Sequence, residues 1–582
     1  MKKTRKISRF LTLSLSRFFT YNKIMTDNTP PKPFWKKRLF YVLLMPCLVF
    51  FLWAFYIFFI WEPPIIISAA TTRITGPLTA NGDIDFFKAL EQRFSPLELA
   101  TDDNGYRDFV RLFGDVRDRV LPDLEFYRLQ TYEKLGLDPN IPPTLTLPSN
   151  PPIPYDFAIR PWTLRDYPML EEWVKDVDIP LDALADAIRK PVFFAPYLQS
   201  SASVESGKPH NLITLIPPDA LLFREIARMF QARATYRIAQ GNIDGAIDDK
   251  LTLMRFGRLI PHGGFLIQYF VGFFIEGAGA DIPIGANPKH PLTEQQIRRL
   301  LEGLDALPPR ASINDAFEVE RHMGLSCIQE IAKRRNTLTK IFGPAGVGRM
   351  DFVMSFSCDW NVVFWKMNQA YDAVQEPSPR TRYNSMVSPP TGKITAGKVL
   401  RMVNLLNPNG RGNLVGDMFI ALFGPGVVST EEAVRQAECR DNLQRLSLAV
   451  LLYQCETGKL PDENWAAQIE KYLGENPKQY FSCPSNPSPE GETTYAMVQY
   501  ADAVGGSLNV SLNSRDVLLF VELATPVPLA KAVISVDDVL NRRNIGSEHD
   551  FRRGMNVARS SAAVESLSEK VSSEDLKRLV GE

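Results

Sequence analysis

Side chains suited to chemistry are few in this chain and widely scattered. The five histidines, His210, His262, His290, His322 and His549, include no two at metal-ligand spacing. No Cys-x-x-Cys is present to start a zinc site. His262-Gly263-Gly264 resembles the oxyanion turn of esterases, but no Gly-x-Ser-x-Gly nucleophile elbow accompanies it. Gly343–Arg349 is glycine-rich like a phosphate loop, yet no Gly-Lys-Ser/Thr follows and no strand precedes it. Asp102-Asp103-Asn104-Gly105 lacks the alternating acids and terminal Glu of a calcium loop. Acidic pairs such as Asp537-Asp538 read as solvated surface, and Lys333-Arg334-Arg335 as a solvated helix face. Ordinary turns and surface account for each of these, so we expect no catalytic, cofactor-binding or metal-binding residues and no enzyme activity.

Six cysteines occur, at 47, 327, 358, 439, 455 and 483. Cys439 and Cys455 stand 16 positions apart on one expected helix, about 24 Å at the helical rise, and cannot bond to each other. Either could meet Cys483, and burial as free thiols is the other reading.

The elements that would position these residues begin with an anchor. The first 38 residues carry eleven Lys or Arg against one acid, Asp27, whereas Leu39–Trp61 has no charged residue. Twenty-three helical residues span about 35 Å, enough for a ~30 Å hydrocarbon layer. Basic residues on one flank set the orientation with the N-terminus cytoplasmic, Trp35, Tyr41, Trp53 and Trp61 supply interfacial or lipid-facing aromatics, and Pro46 allows a kink. A cleaved signal peptide has an apolar run of only about 7–15 residues, so Leu39–Trp61 is read as an uncleaved span; either Met1 or Met25 suits as the start of such a protein. Phe265–Ile275 and Met418–Val428 are too short or too interrupted to span and read as buried segments.

Charge over the whole chain balances at 66 Lys+Arg against 66 Asp+Glu, which excludes a nucleic-acid-binding excess. We expect five parts: residues 1–38, a basic cytoplasmic tail; 39–61, the transmembrane anchor; 62–161, a linker and helical segment; 162–429, an α-helical domain; and 430–582, an α+β domain. The fold class is therefore mainly α with a C-terminal α+β domain and one N-terminal transmembrane helix. Apolar spacing predicts helices at Phe86–Phe94, Tyr106–Val120 and Leu124–Leu135, and residues 138–161 are Pro-rich loop. Leu221–Ile238 and Ala246–Leu259, joined by Gly241–Gly245, form a hairpin that resembles the tetratricopeptide type over residues 221–260, without a second copy at the expected period. Thr293 and Gln296 make a capping box, and further helices are expected at Ile313–Lys333 and Phe352–Val374. Residues 376–394 and 407–429 read as loops, after which Thr430 caps a helix reaching about Glu456, stopped by Gly458 and Pro461.

Within that last helix lie Cys439, Asn442-Leu443, Leu446, Leu448-Ala449 and Tyr453, followed by Phe481-Ser482-Cys483-Pro484-Ser485, Tyr495-Ala496-Met497, Leu518–Glu522, Gly546-Ser547-Glu548-His549 and Gly554-Met555-Asn556-Val557. In this order they resemble the bacterial pilin-like family related to type II secretion pseudopilins, whose members carry a C-terminal His, nine residues, then Asp-Gly. The likeness covers roughly residues 428–570. It implies a helix laid on a small sheet, and a disulfide between Cys439 and Cys483, which both match cysteines of that family. Two departures stand out. Ser561-Ala562 replaces Asp-Gly, and no prepilin motif with an apolar half-helix precedes residue 430, so a processed pilus subunit is not implied. The helical region resembles bacterial envelope proteins with a Pro-Trp-Thr…Asp-Tyr-Pro segment, here Pro161–Pro168.

These readings lead to a single-pass protein of the bacterial inner membrane, its bulk periplasmic, with a structural or protein-interaction role. Its expected partners are the lipid bilayer through residues 39–61 and an envelope protein. An exported hydrolase is the alternative and predicts a deep cleft with two convergent carboxylates. A subunit of a secretion or pilus-like assembly is a third reading and predicts an exposed apolar stripe on helix 431–456.

Overall fold

A computed structural model describes residues 34–115, 124–148, 151, 160–199, 212, 219–333, 356–374, 407–499, 516–542, 544–545, 554–568 and 571–580. In chain order the helices are α1 (Phe34–Phe59), α2 (Phe86–Phe94), α3 (Gly105–Phe113), α4 (Leu124–Lys134), α5 (Glu171–Ile188), α6 (Asp219–Ala239), α7 (Ile243–Leu259), α8 (Leu266–Ala280), α9 (Glu294–Asp305), α10 (Ile313–Lys333), α11 (Trp360–Val374) and α12 (Pro408–Thr457). Short α13 (Trp465–Ile469) leads into β1 (Glu492–Gln499), β2 (Leu518–Pro528), β3 (Val533–Ser535), α14 (Val536–Leu540), β4 (Gly554–Arg559), β5 (Val564–Ser568) and α15 (Ser573–Val580). The chain is thus mainly helical with one C-terminal sheet.

Local chemistry explains most boundaries. Gly241 takes φ 78° between α6 and α7, and Asn242 caps α7 by accepting from Gly245 N. The α6–α7 hairpin continues into α8, which packs on both. The expected capping box is present: Thr293 Oγ1 accepts from Gln296 N at 3.3 Å, and Gln296 Oε1 accepts from Thr293 N at 3.2 Å. The carbonyls at the end of α8 would be buried without partners, and the Lys250 ammonium meets them, donating to Gly279, Ala280 and Ile282 at 3.0, 2.8 and 3.2 Å. Helix α11 starts at Trp360 rather than at Phe352, behind the Asp359 carboxylate, which accepts from Asn361 N at 3.0 Å.

Two expectations fail at α12. Thr430 is not an N-cap, and the described part of the expected 407–429 loop is helix; one helix of 50 residues, about 75 Å at the usual rise, starts behind Asn407 and stops at Gly458, φ 71°. It runs through Gly424-Pro425-Gly426. Interior Pro costs about 3 kcal/mol and Gly about 1 each, which is what the local reading weighed. Packing on both sides offsets it. Val415, Phe419 and Ile420 are buried against α11 and its neighbours, while Cys439, Leu443, Leu446 and Val450 are buried against α8, α9 and the sheet. The division placed between residues 429 and 430 therefore falls inside a continuous helix.

The sheet order is β3-β1-β2-β4-β5, with β1–β3 parallel and the other pairs antiparallel. Its register sets Tyr495 opposite Glu522 and Val521 opposite Val557. One apolar cluster joins helices α3 and α5–α9, the second half of α12 and the sheet, from Tyr106 to Val580; another joins α2, α10, α11 and the first half of α12. Helix α12 is the spine shared by both.

Among the described residues no helix is long and apolar enough to cross a membrane. Side chains of α1 are described at Val42 and from Leu44 onward, and the expected span Leu39–Trp61 extends beyond that stretch.

Candidate functional site

Three places gather polar chemistry. The first is a cavity of about 510 Å³ between α8 and α12, with Phe270, Phe273 and Phe274 on one wall, a volume in the range of small-ligand sites. Its carboxylates are clamped. Glu276 accepts from Arg258 Nε at 2.8 Å and Arg310 at 2.7 Å, Asp441 lies 3.4 Å from Arg258, and Asp281 pairs with Arg440. Burial alone would raise the Glu276 carboxyl; the guanidinium charges of Arg310 and Arg258 outweigh it and hold the group below its ordinary value. For Asp281, burial wins over Arg440 and the carboxyl lies above its ordinary value.

The second place lies in the head, where α12 crosses the sheet. Cys439 comes from α12, Cys483 from the turn before β1 and Glu522 from β2; two Sγ atoms and a carboxylate oxygen lie within 4.8 Å of one another, all fully buried. Cys439 Sγ is 3.3 Å from Glu522 Oε1 and 3.2 Å from Tyr495 Oη. Asn556 of β4 donates its backbone N–H and Nδ2 to Glu522 Oε2 at 3.0 and 3.2 Å, and Nδ2 also reaches Cys439 Sγ at 3.3 Å. Cys483 N donates to Thr494 Oγ1 at 2.7 Å. Burial, then Cys483 and the Glu522 carboxylate, push the Cys439 thiol well above its ordinary value, and burial does the same to Tyr495. Cys439 and Cys483, the pair implied as a disulfide, are thus adjacent, and both are thiols in the structure.

The third place is the junction where α1 meets the body. Arg411, in the first turn of α12, donates to Ile57 O at 2.8 Å and Ser357 Oγ at 3.0 Å, also binds Ser357 O, and lays its guanidinium 4.7 Å from the Phe58 ring centroid. Ser357 donates from N to Phe58 O at 2.8 Å and from Oγ to Ile57 O at 2.5 Å. The last carbonyls of α1 are thereby capped by the body. Beyond them the chain is strapped along α11: Asn361 accepts from Ile66 N at 2.7 Å and donates to Pro64 O at 2.9 Å, and Asn368 donates to Thr71 O at 2.7 Å.

Other residues singled out by type fall to structural duties. Asn104 caps α3 and binds Phe194 from both ends of its amide, and Asp102 pairs with Arg107. Ser535 caps the helix that holds Asp537 and Asp538. Lys333 pairs with Asp83. His322 is buried, bonded to Glu318 O at 2.7 Å, and pushed down to about 4 by burial. Gly263 sits at φ 66° in a turn under Phe194. His210, His549, Gly343–Arg349, Arg334 and Arg335 lie outside the described residues. The thiol–carboxylate cluster escaped a reading by motif because its members stand 44 and 39 positions apart in the chain; the available signal was that Cys483 and Glu522 both lie on anchors of the pilin-like resemblance.

Compared with family models, with curated proteins and with solved structures, the chain matches none.

Proposed function

We propose that this is a single-pass protein of the bacterial inner membrane, its basic tail cytoplasmic, that holds a helical body and a pilin-like head on the exported side for interaction with another envelope protein. The observation that carries the reading is the surface of α1. Phe51, Leu52, Val49 and Trp53 are 58–70% exposed, and Leu44 to Phe50 are exposed as well, whereas Ala54, Ile57 and Phe58 are half-buried where the helix meets the body. An apolar surface running from Leu44 to Trp53 needs a bilayer or another protein to cover it, and eleven basic residues precede it.

For the head, support comes from the laying of α12 across a sheet that is antiparallel apart from the β1–β3 pair and from one backbone angle. Ala562, which stands where the resemblance expects glycine, has φ 58°, a conformation glycine adopts without strain. The alternatives find less support. Arginines engage the cavity's Glu276, Asp281 and Asp441, which a hydrolase would need available. Between 432 and 452 the described α12 side chains are buried or half-buried, leaving no apolar stripe for assembly.

The test is a reporter fused after Ala70 of the full-length chain, together with crosslinking in intact cells. We expect exported reporter activity, resistance of the chain to alkaline extraction from membranes, and a specific crosslinked envelope partner. A cytoplasmic reporter overturns the topology, and a body recovered alone from crosslinked cells overturns the interaction role.

A further inference from the structure

We propose that Cys439, Cys483 and Glu522 form a structural metal site that takes one zinc-class divalent cation and pins the spine helix to the sheet. Thiolate–zinc bonds are about 2.3 Å and carboxylate–zinc bonds about 2.0–2.2 Å, so tetrahedral ligands stand roughly 3.5–3.8 Å apart. Cys439 Sγ and Glu522 Oε1 are 3.3 Å apart, and all three ligand atoms lie within 4.8 Å of one another. A small outward adjustment of the thiol–carboxylate pair admits the ion. Two sulfurs and one oxygen favour zinc over calcium or magnesium, which take oxygen alone.

Support for the ligands is already in place. Asn556 holds Glu522 Oε2 by two donors and leaves Oε1 toward the thiol, as outer partners of metal carboxylates do. Tyr495 Oη, 3.2 Å from Cys439 Sγ, is the fourth polar group beside the position. Each ligand sits on a different element, and none is exposed to solvent. With three protein ligands, the fourth position falls beside Tyr495 Oη and is shut off from solvent, which suits a structural ion rather than a catalytic one that must admit water or substrate. A buried ion must enter as the head folds, and its binding then contributes directly to folding. Both thiols lose their protons on binding; the ion supplies the charge that burial otherwise opposes.

The full-length chain, purified in detergent without chelator or reductant, should hold about one zinc per chain by elemental analysis. Cys439 and Cys483 should resist alkylation until chelator and denaturant are added together. Cobalt(II) in place of zinc should give thiolate-to-cobalt absorption with the intense visible bands of a tetrahedral site. Glu522→Gln should lower zinc affinity at least tenfold, and Cys455→Ser, which alters an exposed cysteine, should leave the zinc content unchanged. If Glu522→Gln does not fold, metal content and the cobalt spectrum of the unaltered chain decide. A Cys439–Cys483 disulfide in the peptide map overturns the proposal, as does a folded, metal-free chain, whether or not its buried thiols react.

Discussion

Glu320 shows how a buried acid can make stability depend on pH. Its carboxylate accepts from Leu266 N at 3.0 Å, and burial pushes its pKa up to about 7. The folded state then holds the proton more tightly than the unfolded state, so this contribution to stability falls as pH rises from about 4.5 to about 7 and stays lost above that. The full shift corresponds to about 3 kcal/mol. His322 acts oppositely: with a folded value of about 4, its contribution rises with pH until its unfolded value near 6.5 is passed. The wild-type profile therefore mixes signs, and a difference isolates Glu320. Glu320→Gln keeps an oxygen for Leu266 N and carries no charge. We expect the variant to exceed the wild type by about 1 kcal/mol or less at pH 5 and by up to about 3 kcal/mol at pH 8, from denaturant midpoints at both pH values. Equal midpoints at pH 8 would refute the assignment. At this scale little was legible beforehand: neither the burial of Glu320 nor the meeting of Cys439 with Glu522 follows from residue type, because both depend on which distant elements close over them.

Elements were far more legible, wherever their boundaries are set by local chemistry. Ile313–Lys333 was readable to the residue from its apolar spacing, and α9 from its capping box. Strands β1 and β2 coincide with Tyr495-Ala496-Met497 and Leu518–Glu522 of the pilin-like likeness, but β4, β5 and the parallel β1–β3 pairing were not readable, since pairing partners are tertiary information. The unbroken α12 was misread for the same reason. Contact between α7 and α8 offers a test in which two effects oppose. A Cβ at Gly257 would stand 2.4 Å from Glu276 N and 2.6 Å from Gly272 O, both backbone atoms that cannot move aside. Alanine is favoured over glycine in helices by about 1 kcal/mol, whereas overpacking costs about 1–3 kcal/mol or more. Gly257→Ala should therefore lower the thermal midpoint. At Gly324 the nearest atom is the flexible Met367 Cε at 2.9 Å, so Gly324→Ala should raise the thermal midpoint slightly, by the equivalent of at most about 1 kcal/mol. A raised midpoint for Gly257→Ala would show that the two helices can separate freely.

For the whole molecule, the consequence of a shared spine is that α1, proposed as the anchor, reaches the sheet through the same helix that both apolar cores share. Force or orientation at α1 passes through Arg411 into the first turn of α12, and α12 continues into the head. Arg411 spends its guanidinium on Ile57 O, both oxygens of Ser357 and the Phe58 ring, and so reinforces the cap that Ser357 places on Ile57 O and Phe58 O. Hydrogen bonds from a charged donor contribute about 1.5–3 kcal/mol each. Arg411→Ala removes them all while leaving the apolar surface of α1 and both cores untouched. Membrane retention should therefore persist, while opening of the junction should become at least tenfold more frequent, since 1.4 kcal/mol is a factor of ten. Hydrogen exchange at Ile60 and Trp61, whose amides donate to Tyr56 O at 2.9 Å, reads that opening directly, and proteolysis of the segment after Trp61 reads it in membranes. Unchanged exchange in a folded Arg411→Ala chain would mean that Ser357 and the strap along α11 hold the junction closed without the guanidinium.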